Sequence, residues 1–442
     1  MRPDPDLESW LARQYRRSIA GMLASVSRVD LLKSRPGFGH TIRPHRGSIL
    51  ASPVPADWDP EPDYFFHWFR DSALVVDALR RLHQAGDLGA EALGHLADFV
   101  RFSLSLQSLD GRKVIAEMSW RENVAADFIR FLRREEELAG VHGAAIVAET
   151  RVNPDATLDI SSWTRPQHDG APSRALALLR WLRAVSFDPG LSARAAQLLR
   201  SDLACTRDFW RQPSFDIWEE ENGLHYYTLC ISAAALAEGA VWLESQSEPE
   251  PARLCRADAR AIHAMLDGYW LADAGHYSSR VLASGQRSTK ELDIAVILAA
   301  IHAGGTGAHS AGDPKVQATL ARLESLFDAA YEINRERPAN RAPAMGRYAG
   351  DRYFSGGAYY FSTLGAAEFC YVAATHGRDA DMWLRRGDAW LRTVQAYTPE
   401  NGDLSEQFDQ RTGQQTSARH LAWSYAALIS CVDARRTALG NS

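Results

Sequence analysis

The sequence has little cysteine and no CxxC pair: Cys205, Cys230, Cys255, Cys370 and Cys431 are scattered and odd in number. That speaks against a disulfide framework and a thiolate metal site, and leaves buried small hydrophobes as their reading. Neither GxxxxGK[ST] nor GxGxxG occurs, so no phosphate-cradling loop supports nucleotide binding. The histidines, His67 and His168 among them, lack ligand spacing such as HExxH, and no metal or cofactor is expected. Positive charge is not in excess. A net charge of -6 disfavours nucleic acid and anionic membrane surfaces as partners and suits a neutral substrate. No stretch of about 18 apolar residues suggests a membrane span, and MRPDPDLESWLARQYRRS has no apolar core of signal type. A cytoplasmic address is the default expectation.

What the sequence has is helical periodicity. Twelve helix-like segments fall near 6–27, 71–85, 88–107, 173–186, 192–211, 222–246, 251–270, 288–303, 314–334, 357–376, 379–396 and 416–437. Short Gly, Asp or Pro turns join many of them into hairpins, as at Gly86-Asp87 and Asp188-Pro189-Gly190. About six repeated hairpins predict a closed double-layer α-barrel or an open solenoid, and the absence of a sequence repeat disfavours the solenoid. No Pro/Gly/Ser-rich linker divides the chain, so residues 1–442 read as a single domain.

The unusual chemistry lies between the helices. SFDIWEEENG (214–223) sets three glutamates after a tryptophan, ahead of a helix predicted from about Asn222. Acidic residues suit a helix start. They also suit a general acid, if carboxylate crowding and a tryptophan wall raise one pKa against the helix dipole. PENGDLSEQFD (399–409) places Glu406 in what reads as an acidic loop. Glycoside hydrolysis needs such a pair, one carboxylic acid for the leaving oxygen and one carboxylate for water or carbon. YFFHWFRDS (64–72) and SSWTRPQHDG (161–170) combine aromatic walls with Arg and Asp, groups that pack on sugar faces and bond their hydroxyls. Within GRYAGDRY (346–353), Arg347 and Asp351 read either as a substrate-orienting pair or as a surface ion pair.

Taken together and in order, these segments resemble glycoside hydrolase family 15, the glucoamylases. SILASP with YFFHWFRDSALVV, SSWTRPQHDGAPSRA, DIWEEENGLHYYT, GRYAGDRYFSGGAYYF and LSEQFDQRTGQQTSARHLAWSYAALIS carry the likeness, nearest to the fungal-type catalytic core. The resemblance implies an all-α (α/α)6 barrel with its active site in loops at one end. It implies inverting exo-hydrolysis that releases β-glucose from α-glucans or maltooligosaccharides, with Glu219 as acid and Glu406 as base. On the same pattern Arg70 and Asp71 hold the terminal glucose, with Trp68 and Arg347 near it. Tyr64 stacks beside the scissile bond. Trp163 and Arg165 shape the subsite boundary, with Trp218 beside the acid. Glu220 and Asp351 serve the next glucose or orient the arginines, and Trp423 lines the floor. Thr164, His168, Glu221 and residues 355–359 depart from the fungal pattern on what would be the leaving-group side. They leave open an α-1,6-directed or trehalase-like preference. A non-catalytic sugar-binding regulator on the same barrel is the reading from another class.

Overall fold

A computed structural model describes residues 4–117, 119–376 and 379–440. Among them twelve longer helices are α1 Pro5–Leu23, α2 Phe69–Gln84, α3 Ala90–Ser105, α4 Gly170–Ala184, α5 Pro189–Phe209, α6 Tyr226–Ser245, α7 Pro249–Asp267, α8 Ala295–Ala303, α9 Pro314–Ala330, α10 Tyr360–Thr375, α11 Ala380–Tyr397 and α12 Ala422–Ala438. The even-numbered helices pack side by side in the cyclic order α2, α4, α6, α8, α10, α12 and back to α2. The odd-numbered helices lie outside, each against an inner neighbour, with α1 on α12. The architecture is therefore the (α/α)6 barrel.

Local chemistry separates the two layers. Three of the outer helices begin at aspartate–proline corners: Asp4, Asp188 and Asp313 each accept a hydrogen bond from a first-turn N–H, with Pro at the first helical position. Inner helices lack such caps and grow out of extended or looped segments. They are buried nearly all round. In α10 the twelve consecutive residues 360–371 are buried, the pattern of a helix surrounded by others. For the same reason α6 is long and apolar enough to cross a membrane, yet here most of it is buried inside the barrel. All five cysteines are buried free thiols.

The pattern 6–27, 71–85 and so on finds all twelve helices but misplaces several starts. Residues 222–225 form a strand, and α6 begins at Tyr226. Residues 415–419 also form a strand, and α12 begins at Ala422. The eighth segment starts at Ala295, seven residues later than expected (295 − 288). In each case the apolar residues that extend the helical pattern belong to loops or strands feeding the inner helices. Because inner and outer helices alternate in direction, all six inner N-termini face one end. The segments that precede them converge there.

Candidate active site

Glu219 sits at the tip of a hairpin. Strand Ser214–Phe215 pairs with Asn222–His225, and residues 216–221 form the turn. Asp216 builds that turn by accepting from the backbone N–H groups of Trp218 and Glu220, both at 3.0 Å. Glu219 is held at φ +66, a conformation that is strained for a residue with a Cβ. Buried Arg280 anchors the turn from below. It donates to Asp216 at 2.6 Å and Glu221 at 2.9 Å and pairs with Asp293. Asp293 accepts the Trp218 indole N–H at 2.8 Å.

The Glu219 carboxylate meets two other indoles. Trp68 Nε1 donates to Oε1 at 2.7 Å, and Trp163 Nε1 donates to Oε2. Arg70 Nη2 lies 3.8 Å from Oε1. Burial raises the Glu219 pKa above the ordinary carboxylate value, against the lowering pull of Arg70, Arg151 and the two indole bonds. Carboxylate crowding is not the cause. Glu220 is turned onto Arg347 at 3.0 Å and Lys290 at 2.6 Å, and Glu221 onto Arg280. The tryptophan wall expected from Trp218 is supplied instead by Trp68 and Trp163, and the helix dipole expected to oppose the shift starts only at Tyr226.

Glu406 does not lie in a loop. It occupies the middle strand, Ser405–Phe408, of a three-stranded sheet between Ala358–Tyr359 and Gln415–Arg419. The register slips between Ser405 and Gln407, so two residues of the neighbouring strand, Ser417 and Ala418, oppose Glu406. Such a bulge re-aims a side chain. Ser417 takes φ +63 and donates its hydroxyl to Glu406 Oε2, while Tyr64 OH lies 3.5 Å from Oε1. Burial pushes the Glu406 pKa up to about 7, opposed by the Ser417 hydroxyl and the Arg347 charge.

Both carboxylates line one pocket with Tyr64, Trp68, Arg70, Asp71, Trp218, Arg347 and Trp423. Trp423 forms an aromatic base, stacked on Phe361 with ring centroids 4.2 Å apart. Arg70 is fixed by Asp169 at 3.0 Å and lies 3.4 Å from Asp71. Neither Asp71 Oδ2 nor Arg70 Nε, both buried, makes a hydrogen bond within the protein. Arg347 and Asp351 are buried rather than a surface pair, joined at 2.7 and 2.6 Å. Of the candidates from sequence, Trp163 reaches Glu219 through its indole N–H without lining this pocket, and Asp351 and Glu220 do not line it. They bracket Arg347 from two sides and fix its direction. Arg165 is not at the pocket either. Its donors are taken by Glu149, Asp159 and two backbone carbonyls, so it braces the segment carrying Trp163. His168 stacks on Phe209, and Glu221 is bonded to Arg280 and Ser288; neither lines the pocket.

Ser417, Tyr353, Asp169, Lys290 and Arg280 escaped the sequence reading. Ser417 fell within a segment read as helix, where a hydroxyl at a bulge has no signature. Asp169 was within reach, since it stands in the quoted segment SSWTRPQHDG, two elements from Arg70. Tyr353 shares a 2.7 Å hydrogen bond with Tyr64 across 289 residues, and only the fold brings them together.

A model of glycosyl hydrolases family 15 matches residues 148–433. The chain belongs to that family. It is a glycoside hydrolase, and relatives named glucoamylase match along most of it. Glucoamylase 1 of Rhizopus oryzae is 26% identical, with 96% of this chain and 70% of that protein aligned. A probable glucoamylase of Schizosaccharomyces pombe is 26% identical over 89% of this chain and 86% of its own. Among solved structures, Saccharomycopsis fibuligera glucoamylase superposes with TM-score 0.79 at 20% identity, covering 99% of this chain and 97% of its own. Hormoconis resinae glucoamylase gives TM-score 0.76 at 25% identity, over 98% and 74%. For a family 15 hydrolase, a carboxylate pair in one aromatic pocket is the chemically meaningful feature of the site.

Proposed function

We propose that this family 15 hydrolase cleaves α-glucosidic bonds at the non-reducing ends of α-1,4-linked glucans or maltooligosaccharides and releases β-glucose. The observation that carries the reading is the pair Glu219 and Glu406, which line a single pocket and are both held toward the protonated form by burial. Glu219 is the general acid. Two indole N–H groups fix both of its oxygens, so its proton is presented in one direction and the carboxylate left after transfer stays solvated by the protein. Glu406 is the general base. It takes a proton from water while Ser417 and Tyr64 hold its oxygens and Arg347 favours its ionised state. Water joins the anomeric carbon as the leaving oxygen departs with the Glu219 proton.

Arg70, with Asp71 beside it, holds the terminal glucose. Asp71 Oδ2 and Arg70 Nε are buried groups with no hydrogen bond inside the protein, suited to sugar hydroxyls. The ring packs on Trp423 and Tyr64, and Arg347, fixed by Glu220 and Asp351, closes the opposite side. Glucose release from maltose, isomaltose, maltooligosaccharides, dextran and trehalose in parallel tests the reaction and its linkage. Proton NMR of the first product is expected to show β-glucose; α-glucose as first product would overturn inversion. Glu219→Gln is expected to lose several orders of magnitude in kcat while still binding sugar, and near-normal turnover would remove Glu219 from the acid role.

A further inference from the structure

Away from the pocket, the last turns of α7 and the loop between α8 and α9 bring a second group of polar side chains together. His263 and Asp267 stand one turn apart on α7 and so share a face of it. His309 comes to them from the loop GGTGAHSAGD (304–313), 42 residues further on (309 − 267). No ligand spacing shows in the sequence, because only the fold returns the chain to this point.

The loop fixes His309. Its φ is +63, a conformation uncommon for a residue with a Cβ. Its backbone N–H donates to Asp313 at 2.9 Å, and its Nδ1 is bonded to Tyr226 OH at 2.9 Å. With Nδ1 engaged, Nε2 is the atom turned to Asp267. The His309 side chain is 4% exposed, yet Nε2 makes no hydrogen bond within the protein. Asp267 Oδ1 lies 3.4 Å from it. That separation is long for a hydrogen bond. It is the edge of a zinc tetrahedron, where bonds of about 2.0–2.2 Å set two ligand atoms about 3.4 Å apart.

His263 supplies a third donor. Its ring lies over that of His309, with centroids 5.9 Å apart and planes 22° apart. As the side chains stand, no three donors among the described residues meet at one point. His263 is exposed, so its ring can turn toward Nε2 and Oδ1 without disturbing the core. Two imidazoles and one carboxylate suit zinc and its transition-metal neighbours, whereas calcium and magnesium take oxygen ligands. Tyr226 fills the outer role such sites need, since a hydrogen bond at the far nitrogen of a ligating histidine holds its ring.

We propose that His263, Asp267 and His309 bind a divalent transition-metal ion, Zn2+ fitting them best, which ties the end of α7 to the loop ahead of α9. Water takes the remaining position. The ion is a clamp on the fold and has no part in hydrolysis, for none of its three ligands lines the pocket of Glu219 and Glu406.

The test uses the full chain without an affinity tag, stripped with EDTA and dialysed, at neutral pH. Titration calorimetry with ZnCl2 is expected to show one saturable site per chain. His263→Ala and Asp267→Asn change exposed side chains and are each expected to weaken binding about a hundredfold, since even the outer partners of a metal site are worth about 10–100-fold. With Zn2+ about 100-fold above its Kd, the wild type is expected to melt about 3 °C higher than in EDTA, and each variant to gain less than about 1 °C. CaCl2 is expected to give no saturable binding. Absence of saturable zinc binding, or undiminished binding in either variant, would overturn the site. Equal binding of Ca2+ would overturn its assignment to nitrogen ligands.

Discussion

Replacing Glu406 by Gln is expected to make the protein more stable above neutral pH while abolishing its activity. The Glu406 pKa stands near 7, against 4.5 for a free glutamate. For an acid whose pKa is raised on folding, the native state holds the extra proton between those values. Stability then falls as pH rises from 4.5 through 7, and the penalty is complete above 7. A shift of this size corresponds to about 3 kcal/mol at pH 8 and to nothing at pH 4. Glutamine has nearly the same shape and never ionises. Its carbonyl oxygen still accepts from Ser417, and its amide faces Tyr64, whose hydroxyl can turn its proton toward Tyr353. With an unfolding entropy of about 2 cal/mol/K per residue, 442 residues give about 0.9 kcal/mol/K. The Glu406→Gln variant is therefore expected to melt about 3 °C above the wild type at pH 8 and level with it at pH 4. Scanning calorimetry at the two pH values reads this directly. Equal melting points at pH 8, or a gain of the same size at both pH values, would refute the account of Glu406 as a carboxylate destabilised by burial.

Other outcomes follow from the same geometry. Since the base must be ionised, kcat/KM on maltose is expected to fall as pH drops through about 7, well above the ordinary glutamate range; a pH profile flat down to 5 would contradict it. Trp68→Phe and Trp163→Phe each remove one N–H that stabilises ionised Glu219. Both are expected to move the alkaline limb of the profile upward and to lower kcat about tenfold or more. An unmoved limb would show that the indoles merely pack. Arg280→Met leaves Asp216, Asp293 and Glu221 without their shared cation. It is expected to destabilise the fold by about 3–5 kcal/mol in denaturant titration; a loss below 1 kcal/mol would show that the turn stands without it.

The sequence carried the helices because their apolar faces repeat over many turns, and six inner–outer pairs leave few architectures open. It carried the signature residues because tryptophan, arginine and glutamate cluster conspicuously in loops of a helical chain. It did not carry the directions in which side chains point. Glu220 and Glu221 read as alike in chemistry to the pocket carboxylates, yet their cations lie on segments 59 to 127 residues away and draw them aside. Nor did it show that Glu406 stands on a strand. Three strands of two to five residues are too short for an alternating pattern, and the bulge at Ser417 depends on the register of a partner strand.

Closure of the inner ring has a consequence for synthesis on the ribosome. Helix α12 fills the gap between α10 and α2, and α1 packs on the outside of α12, with Gly21 leaving just enough room for the Tyr425 ring. The first helix made thus lacks its main packing partner until the twelfth emerges. Glu406, Ser417 and Trp423 all arrive in that final stretch of translation. A nascent chain already carrying Glu219 therefore has neither a base nor a floor for its pocket, and its exposed inner helices are what chaperones would meet.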